Sequence, residues 1–310
     1  MLQTSEIPKI RKDSAVVTKE DYKNPRTIPL VFHFEPAPFE SPDVRLRDCQ
    51  IQRISIEGKD IYIIDDFFLE SEADEMRTFS ETVDFTKSIY ADQGSKEQGE
   101  VPARAMDNKE KWKLLSSPPQ AMKELYKFFN MIAYRLDADV ATLPWELFDG
   151  KICSPSVATN KVDSISSESM ELGKHEDYNT EKGIAFGLPT LYSEMKELHP
   201  NKFVNGSEGK PWLVSLMLYT TDRDFHAESY GMGTVFCTKN GKVEAKAECR
   251  HMRFVLFEGD IVHGIEKSQI PPGVKAGRVS YVFKLFLNPK KANGSLKKQF
   301  AELMQTYEES

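Results

Sequence analysis

The spacing of apolar positions changes period partway along the chain. From Ile51, "QRISIEGKDIYIIDDFF" alternates β-branched and polar residues around Glu57-Gly58-Lys59, which predicts a two-stranded hairpin. "LESEADEMRTFSETVDF" then takes helical spacing, with Ser71 as the expected N-cap and acidic residues in the first turn. After Pro118-Pro119, "QAMKELYKFFNMIAYRL" places Met122, Leu125, Phe128, Phe129, Ile132 and Leu136 on one helical face. Residues 86–117 between these helices read as loop, with a strand near "VPARAM".

The second half moves to a period of two. It predicts strands at Ile152–Asn160, Gly173–Asp177, Trp212–Thr220, Gly233–Thr238, Lys242–Glu248, Met252–Phe257, Ile261–Lys267 and Arg278–Leu287. Asn240-Gly241, Glu258-Gly259-Asp260 and Pro271-Pro272-Gly273 are the turn signals between them. Short strands in series without intervening helices predict a mainly β fold with flanking helices, built as an antiparallel sandwich or barrel. Residues 178–211 interrupt the series as an insertion with a short helix at "PTLYSEMKEL". Residues 1–50, rich in Pro and charge, read as an extended or partly disordered arm. Residues 51–290 form the main domain, and 291–310, with "SLKKQFAELMQTY", a C-terminal helix.

Composition narrows the partners. A formal net charge of -7 argues against nucleic acid, which wants a basic surface. No stretch approaches the roughly 20 apolar residues of a membrane span, and the N-terminus shows no apolar signal core. Cys49, Cys153, Cys237 and Cys249 have no close metal spacing and read as free thiols of a reducing compartment. The expectation is a cytoplasmic protein for which the sequons at Asn205 and Asn293 carry no meaning.

The chemistry concentrates in "ELGKHEDYNTEKG". In a strand, positions i and i+2 share a face, so His175 and Asp177 would sit side by side with Glu176 turned away. A lone H-x-D pair is weak. His263, in "RFVLFEGDIVHGIEKS", supplies the third group of a two-histidine, one-carboxylate set, the donor pattern of non-haem Fe(II) with open positions. In "GRVSYVFKLFL", Arg278 and Ser280 again share a face, and a guanidinium fork beside a hydroxyl suits a carboxylate.

With these residues in view, segment 173–287 resembles the Fe(II)/2-oxoglutarate-dependent dioxygenase superfamily, most closely its prolyl-4-hydroxylase-like branch. That family carries H-x-D on the second strand of a double-stranded β-helix, a distal His on the seventh and a basic residue on the eighth, and the strand count here agrees. "IYIIDDFFLESEADEM", "LVSLMLYTT" and "MGTVF" resemble further family segments. The resemblance implies a jelly-roll core in a catalytic domain, Fe(II) held by His175, Asp177 and His263, and 2-oxoglutarate chelated to it. Arg278 and Ser280 would take the distal carboxylate, and O2 would be the oxidant. A small-molecule substrate would then be hydroxylated, desaturated or cyclised at a C–H bond. Arg278-Val279-Ser280 departs from the Lys usual in prolyl hydroxylases and resembles the clamp of small-molecule oxygenases, leaving a peptide hydroxylase as the alternative. A non-catalytic, cupin-like metal-binding module is a third reading, against which the clamp speaks. Asn160, ending the strand before H-x-D, is a candidate cosubstrate contact. Tyr178, Arg104 and His226 are candidate substrate contacts, and His226-x-Glu228 is also a rival metal pair.

Overall fold

The structure is a computed structural model. It describes residues 17–18, 32–34, 36, 38, 40–83, 85–87, 104–106, 114, 117–142, 147–148, 151–152, 157–163, 172–181, 203–274, 276–291 and 294–308. The expected helix "PTLYSEMKEL" and most of the 178–211 insertion lie outside these residues.

The first strands are β1 (Val17–Thr18), β2 (Phe32–Phe34), β3 (Gln50–Ile56), β4 (Lys59–Asp65), β5 (Phe85–Lys87) and β6 (Arg104–Met106). Then come β7 (Ala138–Thr142), β8 (Leu147–Phe148), β9 (Lys151–Ile152), β10 (Val157–Asp163) and β11 (Leu172–His175). The last six are β12 (Trp212–Tyr219), β13 (Thr234–Cys237), β14 (Val243–Ala247), β15 (Phe254–Glu258), β16 (Val262–Ile265) and β17 (Gly277–Pro289). The helices are α1 (Glu40–Asp48), α2 (Glu70–Thr82), α3 (Gln120–Arg135), α4 (Ala227–Tyr230) and α5 (Leu296–Glu308).

The eight strands from β10 to β17 divide between two antiparallel sheets. One contains the order β15-β12-β17-β10 and the other β11-β16-β13-β14. Counted along the chain, first, eighth, third and sixth face second, seventh, fourth and fifth. That order is the double-stranded β-helix. The hairpin β3-β4 extends the larger sheet beyond β15, while β6 and β5 extend it beyond β10.

Strand parity explains the two cores. On β12, Trp212, Val214, Leu216 and Leu218 join the cluster that packs on the helices, whereas Met217 and Tyr219 join the cluster between the sheets. On β15, Phe254 and Leu256 face the helices, and Val255 and Phe257 face the interior. Such strands are covered on both faces, so they read as apolar runs rather than clean alternations. Phe254 is fully buried among Phe67 at 5.3 Å, Phe128 at 5.5 Å and Phe68 at 6.1 Å between ring centroids. Phe254→Ala should therefore destabilise the protein by about 3–5 kcal/mol, measured as a lower denaturant midpoint.

The structure corrects several sequence expectations. Ser71 does not cap α2: Leu69 is the N-cap, and its amide donates to Glu72 Oε2 at 2.9 Å, closing the first turn from the third helical position. Arg45 grips Glu72 with two nitrogens at 2.7 and 2.9 Å. Residues 40–48 are accordingly a helix rather than an extended arm, with Leu46 buried, and β2 pairs with β7. Of the strand expected at Ile152–Asn160, the described residues belong to β9 and β10, which lie in different sheets. The strand expected at Gly173–Asp177 stops at His175.

Candidate metal and dicarboxylate site

His175 closes β11 directly opposite His263 on β16. Asp177 lies two residues past the strand end, so the sheet ladder does not place it. The turn between β15 and β16 does: the amides of Asp177 and Tyr178 donate to Gly259 O at 2.7 and 2.9 Å. Gly259 is required by close approach, because a Cβ there would meet Tyr178 Cδ2 at 1.8 Å. The turn is itself tied down on three sides. Lys59 pairs with Asp260, Asn205 Nδ2 donates to Asp260 Oδ1 at 3.1 Å, and Lys297 of α5 meets Glu258 Oε1 at 2.5 Å.

One ligand atom from each of His175, Asp177 and His263 lies within 4.8 Å of the others. Asp177 Oδ1 stands 3.6 Å from His175 Nε2, and Asp177 Oδ2 stands 3.7 Å from His263 Nε2. His263 Nδ1 is 2.9 Å from Ile261 O. A proton on Nδ1 donated to that carbonyl leaves the Nε2 lone pair free, the second-shell arrangement that metal-ligating histidines adopt. Burial pushes the His263 pKa down to about 3, against the pull of Asp177, so the imidazole is neutral at working pH. Burial also opposes ionisation of Asp177. Lys284 first, then His263 and His175, outweigh it and hold the carboxyl well below its ordinary range. Asp177 Oδ1 is buried with no hydrogen-bond partner, the condition of an oxygen left for a cation.

The interior face of β17 carries Arg278, Ser280 and Lys284 at even spacing. Arg278 is 2% exposed. Its Nη1 donates to Ser280 Oγ at 2.8 Å, and its Nη2 lies 3.2 Å from Met217 Sδ and 3.4 Å from Thr234 Oγ1. Its guanidinium carbon is 5.2 Å from the centroid of Tyr219, whose hydroxyl is 2.7 Å from Thr234 Oγ1. Arg278 Nε has no partner, and among the described residues no carboxylate pairs with this guanidinium. A buried cation without a counter-ion is costly. The residues present fit an anion at this position.

Sequence reasoning missed Lys284, Ser215, Thr234 and Tyr219. Lys284 Nζ pairs with Asp177 Oδ2, and Ser215 Oγ donates to the same oxygen at 2.5 Å. The signal for Lys284 was its parity with Arg278 and Ser280 inside an apolar strand. Glu176 is outside the cluster and accepts from Asn179 Nδ2. Tyr178 is fully buried behind the metal segment. His226 is exposed at the start of α4, 5.3 Å from the Tyr230 ring centroid. His226 and Glu228 form no metal cluster, since His175, Asp177 and His263 are the sole such group among the described residues. Asn160 pairs with Ser280 across β10 and β17, and Arg104 pairs with Lys161 across β6 and β10; both side chains lie outside the described residues. No helix among the described residues is long and apolar enough to cross a membrane.

Comparison with known proteins gives structural likeness only. No family profile and no curated protein sequence matches the chain. A prolyl hydroxylase of Trichoplax adhaerens, solved with a hypoxia inducible factor oxygen degradation domain peptide, is 13% identical at a TM-score of 0.40, covering 78% of this chain and 86% of that one. The non-heme α-ketoglutarate-dependent carbocyclase SnoK of nogalamycin biosynthesis is 10% identical at 0.43, covering 74% and 79%. HygX of Streptomyces hygroscopicus, solved with nickel, 2-oxoglutarate and hygromycin B, is 10% identical at 0.40, covering 74% and 83%. The fold of this chain rests on its strand order: it is a double-stranded β-helix with flanking helices.

Proposed function

We propose that this protein is an Fe(II)- and 2-oxoglutarate-dependent oxygenase that oxidises a small molecule at a C–H bond. The observation that carries this reading is Arg278, buried without a carboxylate partner among the described residues, in the same interior as the His175, Asp177, His263 cluster. A metal-binding module has no use for such a guanidinium. A dicarboxylate that chelates the metal at one end gives it a partner at the other.

The spacing supports this. Phe236 is opposite His263 in the sheet, and Thr234, beside Arg278, is two residues along the same strand. One pleat period, about 6.6 Å, therefore separates the strand position beside the guanidinium from the one opposite His263. In this reading His175 and His263 offer Nε2 and Asp177 offers Oδ1. Arg278 and Ser280 bind the distal carboxylate, with Thr234 and Tyr219 orienting the guanidinium. Iron with 2-oxoglutarate supplies C–H oxidation by dioxygen, releasing succinate and CO2. The protein's part is to hold both in fixed geometry away from water.

The small-molecule class rests on the Arg278-Val279-Ser280 clamp. Its test is succinate formation with Fe(II), 2-oxoglutarate and O2, in the presence of amino acids, natural-product intermediates or proline-containing peptides. Stimulation by a small molecule supports the reading, and stimulation by peptides alone overturns the substrate class. Absence of both 2-oxoglutarate binding and succinate formation overturns the oxygenase itself.

A further inference from the structure

Lys284 is 3% exposed, and its ammonium lies on the carboxylate of the metal cluster. The two carboxylate oxygens divide their partners. Oδ2 takes Lys284 and Ser215, while Oδ1 is buried without a hydrogen bond on the side of His175. We propose that Lys284 is a resident cation of the metal centre, competing with a divalent ion for the charge of Asp177 and so setting the centre's affinity. The proposal rests on the reading of His175, Asp177 and His263 as metal ligands.

Its physical basis is electrostatic. A buried carboxylate without a cation is expensive, so Lys284 keeps the empty centre folded and Asp177 in place. Once a divalent ion binds at Oδ1, two cations share one carboxylate in a low-dielectric interior and repel each other. Ser215 holds the same oxygen without bringing charge. Lys284 and Ser215 together confine the metal to one oxygen, and Lys284 alone weakens its hold. The consequence is a centre that exchanges its ion with the surroundings rather than trapping it, and that binds more tightly once a dianionic cosubstrate offsets the extra positive charge.

The test uses the full-length, metal-free protein titrated with Co(II) and followed by visible absorption. Lys284→Met should bind Co(II) at least tenfold more tightly than wild type, and its metal-free form should melt at a lower temperature. Lys284→Gln, which keeps a donor toward Oδ2 and is less disruptive, should shift in the same direction. Lys284→Arg, which keeps the charge, should restore weak binding, and Ser215→Ala should change affinity less than threefold. Equal or weaker Co(II) binding in folded Lys284→Met and Lys284→Gln would overturn the proposal, as would parallel losses in the lysine and serine variants. Undiminished Co(II) binding in His263→Ala would instead overturn the metal-site reading on which it stands.

Discussion

Arg278→Met is expected to lower 2-oxoglutarate affinity by at least about thirtyfold, because truncating one partner of a buried charge pair costs on the order of 2–5 kcal/mol. Metal affinity should stay within about threefold of wild type, since Arg278 touches none of the three ligand side chains and its partners are Ser280, Met217 and Thr234. Stability separates this account from a structural one. In the ligand-free protein the guanidinium is 2% exposed and meets only neutral groups among the described residues. Methionine fills similar space without the cost of a buried charge, so the ligand-free variant should be as stable as wild type or more stable by about 1–2 kcal/mol. Equilibrium denaturation checks this. A destabilised variant that still binds 2-oxoglutarate would show that Arg278 serves the fold.

Gly259→Ala is expected to cost metal binding through a residue that never touches the metal. The new Cβ would lie 1.8 Å from Tyr178 Cδ2 and 2.3 Å from Cε2, and the fully buried ring has nowhere to retreat. Overpacking of this kind costs about 1–3 kcal/mol or more, spent in displaced backbone. The backbone that must give is the pair of amides, Asp177 and Tyr178, held on Gly259 O. Asp177 then leaves its place beside the two histidines. A loss of at least about thirtyfold in Co(II) affinity, together with a lower melting temperature, is the expected result. Adding Tyr178→Ala to Gly259→Ala should recover metal affinity while leaving the protein less stable than wild type, because the clash is gone but the packing is not. Co(II) titration of the two variants checks both statements; wild-type affinity in Gly259→Ala would contradict the close packing of the turn.

Much of this was legible in the sequence because strand parity survives in it. His175, Asp177, His263, Arg278 and Ser280 were singled out by residue type and spacing; the structure groups the first three and puts Arg278 against Ser280. The barrel order came from the family resemblance, with which the strand count agreed. Three features were hidden for physical reasons. Helix 40–48 was obscured because it buries only Pro42 and Leu46, too few apolar positions to show a period, although its acidic first turn and basic last turn were readable. The setting of Asp177 depends on a long-range backbone contact with Gly259, which spacing within one strand cannot reveal. Lys284 was passed over because a lysine in an apolar strand reads as an exposed position, and its burial requires a counter-ion that the fold brings from another sheet.

The most direct measurement is an anaerobic titration of the purified protein with Fe(II) and 2-oxoglutarate, recorded in the visible range. The expected result is a weak absorption band that needs both components, disappears in Asp177→Ala and in His263→Ala, and in Arg278→Met returns only at much higher 2-oxoglutarate. No band in the wild-type protein, or a band that survives Asp177→Ala unchanged, would contradict it.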